Sequence, residues 1–128
     1  MFTMEQIEKW HERLASVGTF SDYVQWLAGL GVVRYDSVVS DGHSEYFGLD
    51  DHRVVSRPAH EEFVVADRTD RAALVDHLRR HERGESSYLE MSRGMAACGV
   101  ERWTVDTRAV TMTFFAPSGD VLVVEQIT

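Results

Sequence analysis

Apolar residues recur at intervals of three and four in four segments of the chain, a spacing that predicts amphipathic helices. The first segment begins with Thr3 and Gln6, which have the spacing of a capping box, and a glycine follows each segment where a helix can end. The predicted helices cover residues 3–18, 21–31, 69 or 70–84, and 86 or 87–99.

Shorter runs rich in β-branched and aromatic residues predict six strands, at residues 32–39, 44–47, 52–56, 101–106, 110–115 and 121–127. Asp41-Gly42 is predicted to form a two-residue type I′ turn, in which both residues take a positive φ. Pro58 ends the third strand because proline has no N–H for the ladder. The assignment of residues 62–67 stays open.

The order of two helices followed by strands occurs twice. Gly31–Tyr35 aligns without a gap with Gly99–Trp103, 68 residues later. This alignment favours an internal pseudo-repeat of halves 1–66 and 67–128 within a single domain, 1–128. The alternative is that a glycine helix end followed by a Val-led strand is simply common. Either way, the pattern predicts an α+β fold with antiparallel meanders and helices packed on one face.

Composition limits the classes of partner. The 128 residues carry 44% hydrophobic residues, and 21 acidic against 13 basic residues give a net charge of −8, so nucleic acid is not expected. Cys98 is the one cysteine, which excludes an intrachain disulfide, and we expect it to be a small buried apolar residue. With no signal peptide or membrane-length apolar run, a cytoplasmic location without membrane contact is expected.

Histidines and carboxylates supply the candidate chemistry. His77 and His81 lie one helical turn apart, as two zinc ligands would, but no third ligand is visible and neighbouring arginines would repel the ion. A denser group surrounds the predicted hairpin and could form a hard-metal or acid–base site, although turns are normally rich in such residues. This group comprises Asp41, His43, Glu45, Asp50, Asp51 and His52. The metal candidates are therefore His43, His52, His77 and His81.

The aromatic residues exceed what any single catalytic proposal would use, so most of them are expected in the core. A remainder that lines a cleft between the two halves would give a small-molecule pocket or a dimer interface.

Several short motifs together resemble a bacterial and prophage-borne family. They are Phe2-Thr3-x-Glu5-Gln6-Ile7, Gly31-Val32-x-x-Tyr35, Val39-Ser40-Asp41-Gly42-His43 with Tyr46-Phe47-Gly48, His81-x-x-Gly84, and Gly99-Val100-x-Arg102-Trp103-x-Val105-Asp106. In this order they resemble domain-of-unknown-function family 1398, which is also labelled "phage envelope protein". The resemblance runs nearly end to end and implies a small YdfO-like α+β domain. It implies no activity, cofactor or catalytic residue.

No complete catalytic constellation is present, which favours a non-enzymatic module without a cofactor that self-associates as a homodimer. Its binding site for a protein or small molecule is predicted in the hairpin region, at Tyr35, Asp41, His43, Glu45, Tyr46 and Phe47. The alternative is a small metal-dependent protein or enzyme that uses His43, Glu45, Asp50, Asp51 and His52. A third hypothesis is a phage or host regulator that docks an acidic partner through the arginines between Arg68 and Arg83.

Overall fold

The computed structural model describes residues 2–9 and 20–127. Within them, α1 covers residues 4–9 and is followed by α2 (Phe20–Leu30), α3 (Arg71–Glu82) and α4 (Tyr88–Ala97). The strands are β1 (Arg34–Val38), β2 (Ser44–Phe47), β3 (Arg53–Val55), β4 (Arg102–Asp106), β5 (Thr111–Phe115) and β6 (Val121–Gln126). The predicted α+β class is confirmed, and the predicted helical stretch at residues 10–18 lies outside the described residues.

Side chains cap the helices where the sequence predicts helix starts. Thr3 donates its amide to the Gln6 side chain at 2.9 Å, and Gln6 donates its amide to the Thr3 hydroxyl at 3.3 Å. Ser87 and Glu90 form the same reciprocal pair before α4, and the Asp70 carboxylate caps α3. These bonds satisfy amide groups that have no partner inside a helix, which is why the helices begin there.

The six strands form one antiparallel sheet in the order β3-β2-β1-β4-β5-β6. The inner face of the sheet, which carries Tyr35, Tyr46, Trp103 and Phe114, packs against the helices and forms the core. Alternate residues of the same strands point to the outer face, which has no helix on it in the described part of the chain. Residues 62–67 adopt neither helix nor strand.

Several features recur at the 68-residue interval that separates Asp36 from Thr104. Helices α2 and α4 both end in a Schellman pattern, in which Val32 donates to the Leu27 carbonyl and Val100 to the Met95 carbonyl. The Arg34 guanidinium covers the Phe47 ring at 4.2 Å, and the Arg102 guanidinium covers the Phe115 ring at 4.0 Å. Strands β1 and β4 pair antiparallel in register about Asp36 and Thr104, whose side chains are hydrogen bonded at 2.7 Å.

The predicted type I′ turn is wrong. Gly42 has a φ of 77°, but Asp41 is not among the residues with positive φ, and the Val38 amide donates to the His43 carbonyl across a four-residue loop. The Asp41 carboxylate accepts the His43 amide at 2.9 Å, while the Asp41 carbonyl accepts the amide of Ala59 at 2.9 Å. These contacts favour the longer loop over the two-residue turn that the sequence pair Asp-Gly indicates.

None of the described helices combines the length and the apolar composition that crossing a membrane would need.

Candidate functional site

A cavity of about 1240 Å³ lies between the inner face of the sheet and the helices. Strands β1, β2, β4, β5 and β6 supply its floor, and residues from α1, α2, α3 and α4 cover it. Exposed side chains among its lining, including Phe20, Arg57 and Tyr88, mark where the cavity meets solvent. Its volume is large enough for a drug-sized molecule.

All four tyrosines of the chain line this cavity: Tyr23, Tyr35, Tyr46 and Tyr88. The Tyr23 and Tyr46 hydroxyls are hydrogen bonded at 3.1 Å, and the Tyr35 and Tyr46 rings lie 5.1 Å apart. Tyr35 is only 5% exposed, yet its hydroxyl has no hydrogen-bond partner among the described residues. A hydroxyl that lines a cavity and has no partner within the described chain is suited to binding a ligand.

Burial raises the pKa of each of these phenols, because the ionised form would lose its hydration. The neighbouring Tyr46 and Tyr88 rings raise the pKa of Tyr35 further. The phenols are therefore uncharged at neutral pH, and each can donate a hydrogen bond.

Two serines extend the hydroxyl-rich wall. Ser37 and Ser44 face each other across β1 and β2 with their hydroxyl oxygens 2.9 Å apart. The Ser44 amide donates to the Ser56 hydroxyl at 2.7 Å, which holds the start of the segment after β3 against this wall. All three serines line the cavity.

The opposite wall is apolar. Trp103 and Phe114 project from β4 and β5 with ring centroids 6.2 Å apart, and Met91 and Met95 of α4 are buried beside the cavity. Leu78 of α3 completes this wall. The cavity is therefore amphipathic, with hydroxyl groups on one side and apolar groups on the other.

Charged groups lie where α3 meets β6. The Arg79 guanidinium donates to the Glu82 carboxylate at 2.8 Å and to the Glu125 carboxylate at 2.9 Å. These ion pairs, with hydrogen bonds, raise the pKa of Arg79, led by the bond to Glu125. Glu82 and Glu125, which both line the cavity, therefore already have a cationic partner.

The structure divides the predicted binding residues between two faces. Tyr35 and Tyr46 lie on the inner face and line the cavity, whereas Glu45 and Phe47 alternate with Tyr46 on β2 and point to the outer face. The residues predicted for binding therefore lie on two faces of the sheet, and their role in binding stays a prediction. The face of the Phe47 ring is also covered by the Arg34 guanidinium.

Asp41, His43 and Glu45 do come together at the beginning of β2. His43 Nδ1 lies 2.6 Å from the Asp41 carboxylate, and its Nε2 lies 3.7 Å from the Glu45 carboxylate, which is paired with Arg53 at 3.2 Å. Burial opposes ionisation of Asp41, but hydrogen bonds from His43 outweigh it and lower the pKa of Asp41. These interactions stabilise the loop and are satisfied within the chain.

Asp50, Asp51 and His52 lie at the other end of β2 and do not join this group. Asp50 and Asp51 have φ angles of 56° and 62°, the left-handed conformation of a tight turn. His52 Nε2 donates to the Phe2 carbonyl at 2.8 Å and so anchors the beginning of the chain. The structure therefore does not bring these residues together with His43 and Glu45.

The two helical histidines have separate surroundings. His77 packs against Gly94 of α4, where an added Cβ would come within 2.6 Å of the imidazole. His81 lines the cavity, and its Nδ1 donates to the Ser86 carbonyl at 3.1 Å. No three His, Cys, Asp or Glu side chains within residues 2–9 and 20–127 are grouped as a metal site.

Cys98 is buried at the end of α4, and desolvation raises the pKa of its thiol, as expected for a small apolar residue rather than a nucleophile. Three arginines at the end of α3 and directly after it form ion pairs: Arg80 with Asp76, Arg83 with Glu85, and Arg79 with two glutamates. Arg68 and Arg71 at the start of this segment are exposed, and docking of an acidic partner stays a prediction.

Sequence reasoning did not select Ser37, Ser44 or Tyr88 as site residues. Strand alternation could have placed Ser37 with Tyr35, and Ser44 with Tyr46, on one face. No comparable sequence pattern indicated that Tyr88 lines the cavity, because its position there depends on how α4 packs across the sheet.

Comparison with known proteins extends over nearly the whole chain. Residues 8–126 match the model of a family described as Protein of unknown function (DUF1398), and no curated protein matches significantly. This description gives no activity, and the YdfO-like and phage-envelope labels stay predictions. Because the match spans far more than half of the chain, the protein belongs to the DUF1398 family.

Proposed function

We propose that this protein is a non-enzymatic binding module for a small, largely apolar molecule held in the cavity between sheet and helices. The observation that carries the proposal is that all four tyrosines of the chain line a cavity of about 1240 Å³. Ligand sites typically combine an apolar lining with a few polar groups that fix orientation, as this cavity does.

The chemistry of the lining supports binding rather than catalysis. The phenols are protonated, the one thiol is buried at a helix end outside the cavity lining, and Glu82 and Glu125 are paired with Arg79. The described lining therefore contains no activated nucleophile with an adjacent base, which covalent or acid–base catalysis would need.

We also propose that the chain is an internal duplication of halves 1–66 and 67–128 that form one domain. The recurrent helix ends, the arginine–phenylalanine pairs and the symmetric register of β1 with β4 support it. In this arrangement, each half supplies one wall of the cavity.

Binding of a protein partner and formation of a homodimer remain expectations with weaker support. Val55, Val121 and Val124 are exposed on the two edge strands of the sheet. The aromatic residues of the outer face, however, lie under guanidinium groups, which reduces the apolar surface open to a partner.

Filling the cavity tests the binding proposal. Met112 of β5 lines the cavity, and Met112→Trp is expected to lower the affinity for the uncharged probe 2-methylnaphthalene by about tenfold or more, since the indole would occupy the ligand's space. Val124→Trp is the matched control, because Val124 is 59% exposed on the outer face. Equilibrium dialysis measures both affinities. Equal loss in both variants, or no binding to the wild type, would contradict the proposal.

A further inference from the structure

The two walls of the cavity differ in a regular way. Positions 68 residues apart pair Tyr23 with Met91, Tyr35 with Trp103, Ser37 with Val105, Ser44 with Met112, and Tyr46 with Phe114. At each of these five positions, the first half has a hydroxyl group and the second half has none. Val105 is buried outside the cavity lining, and at the other four positions the two halves present opposite chemistry to the cavity.

One equivalent pair reverses this order. Phe20 begins α2 and Tyr88 begins α4, so here the hydroxyl belongs to the second half. The Tyr88 ring lies edge-on to the Trp103 ring of the apolar wall, with ring centroids 6.3 Å apart. Its hydroxyl is therefore an exception to the division between the two walls.

The Tyr35 hydroxyl indicates which kind of ligand group the polar side of the cavity binds. Its ring is fixed by Tyr23 at 6.2 Å and Tyr46 at 5.1 Å, and its residue is 95% removed from solvent contact. Tyr23 and Tyr46 satisfy each other, whereas Tyr35 has no hydrogen-bond partner in the described chain. A fixed donor in the cavity wall that has no partner within the described chain is available to donate to a ligand acceptor.

The charged side chains around the cavity favour an uncharged ligand. The lining includes three carboxylates, of Glu8, Glu82 and Glu125, against the guanidinium of Arg57, which is exposed to water. An anion would meet this excess and the net charge of −8. A cation would have to compete with Arg79, which already bridges Glu82 and Glu125.

We infer that the ligand is an uncharged amphiphile with one hydroxyl or carbonyl group, whose oxygen accepts a hydrogen bond from the Tyr35 hydroxyl while its apolar body packs against Met91, Trp103 and Phe114. This inference rests on the proposed binding function. It adds the chemical class of the ligand and its orientation in the cavity.

Three probes of similar shape test it by equilibrium dialysis: 2-naphthol, 2-methylnaphthalene and 2-naphthoate. The wild-type protein is expected to bind 2-naphthol more tightly than the other two. Tyr35→Phe should weaken 2-naphthol binding about 3- to 10-fold, the effect of one hydrogen bond, and should change 2-methylnaphthalene binding less than about twofold. Trp103→Phe, which trims the apolar wall, should weaken both uncharged probes alike.

Thermal unfolding controls for structure. Tyr35→Phe keeps the ring and removes a hydroxyl that has no partner in the described chain, so Tm should be unchanged or raised. Equal affinity of Tyr35→Phe and wild type for 2-naphthol would overturn the inference while 2-methylnaphthalene binding still supported the proposed function. Tighter binding of 2-naphthoate than of 2-naphthol would overturn the uncharged class. Absence of binding by all three probes would overturn both proposals.

Discussion

The phenols of Tyr23, Tyr35 and Tyr46 are buried, with 1%, 5% and 2% of their surfaces exposed, and burial raises the pKa of each above the ordinary value. A raised pKa in the folded state means that the folded protein binds these protons more tightly than the unfolded chain does. The resulting stabilisation is complete below the unfolded pKa of about 10 and is lost as pH rises from there through the folded pKa.

We therefore expect phenolate absorbance from these three residues to appear together with loss of far-ultraviolet circular dichroism as pH is raised beyond about 10. The same tyrosines in guanidinium chloride should titrate near pH 10, independently of one another. Stepwise ionisation of the three in a protein that keeps its native circular dichroism would contradict the buried placement of the tyrosine wall.

At the scale of single residues, the sequence grouped Tyr35 and Tyr46 with His43 and Phe47 as candidate binding residues, whereas the structure places the two tyrosines in the cavity and Phe47 on the opposite face. The difference arises because a strand points successive side chains to opposite faces, and a hairpin motif does not reveal which face the helices cover. Helices α2 and α4 pack on the face of the sheet that carries these tyrosines, and this packing makes it the inner face.

The ends of α2 and α4 depend both on local sequence and on tertiary contacts. Gly31 and Gly99 follow α2 and α4 with φ angles of 104° and 81° and close the same Schellman pattern. A Cβ on Gly31 would meet only a Phe2 ring carbon at 4.0 Å, but one on Gly99 would lie 2.5 Å from the Arg68 carbonyl oxygen. The two glycines are thus equivalent in backbone conformation and unequal in packing.

Gly31→Ala should lower the free energy of unfolding by about 1 kcal/mol, the cost of a left-handed conformation for alanine. Gly99→Ala adds a clash with backbone, and its cost should reach about 3 kcal/mol. Urea denaturation of both variants measures the difference, and equal losses would show that the contact with Arg68 does not restrict position 99.

Capping boxes, glycine ends and strand alternation were enough to predict the described helices and the six strands from sequence. The Asp41-Gly42 loop was not predictable in this way. Its geometry depends on the amides of Ala59 and His60, which donate to the Asp41 carbonyl and come from a segment without regular structure. A local turn preference cannot include such partners.

The whole molecule is organised around the antiparallel pairing of β1 with β4, which joins the two meanders into a single sheet. This pairing brings Tyr35 beside Val105 and Ser37 beside Trp103, so the hydroxyl wall and the apolar wall meet along one line. The sequence predicted both meanders, but no local pattern specifies which of their edge strands pair with each other. The amphipathic cavity results from this pairing of β1 with β4.

Four of the five methionines in the chain, Met4, Met91, Met95 and Met112, line the cavity. Their methyl groups are sensitive reporters, because an aromatic ligand within a few ångströms shifts their resonances. The most direct test is therefore a methyl spectrum of the protein with carbon-13-labelled methionine, recorded during titration with 2-naphthol. We expect the Met91, Met95 and Met112 signals to move together and saturably in the wild type, and much less in Tyr35→Phe at the same probe concentration. Saturable binding of 2-naphthol that leaves these three signals in place would contradict the cavity as the binding site.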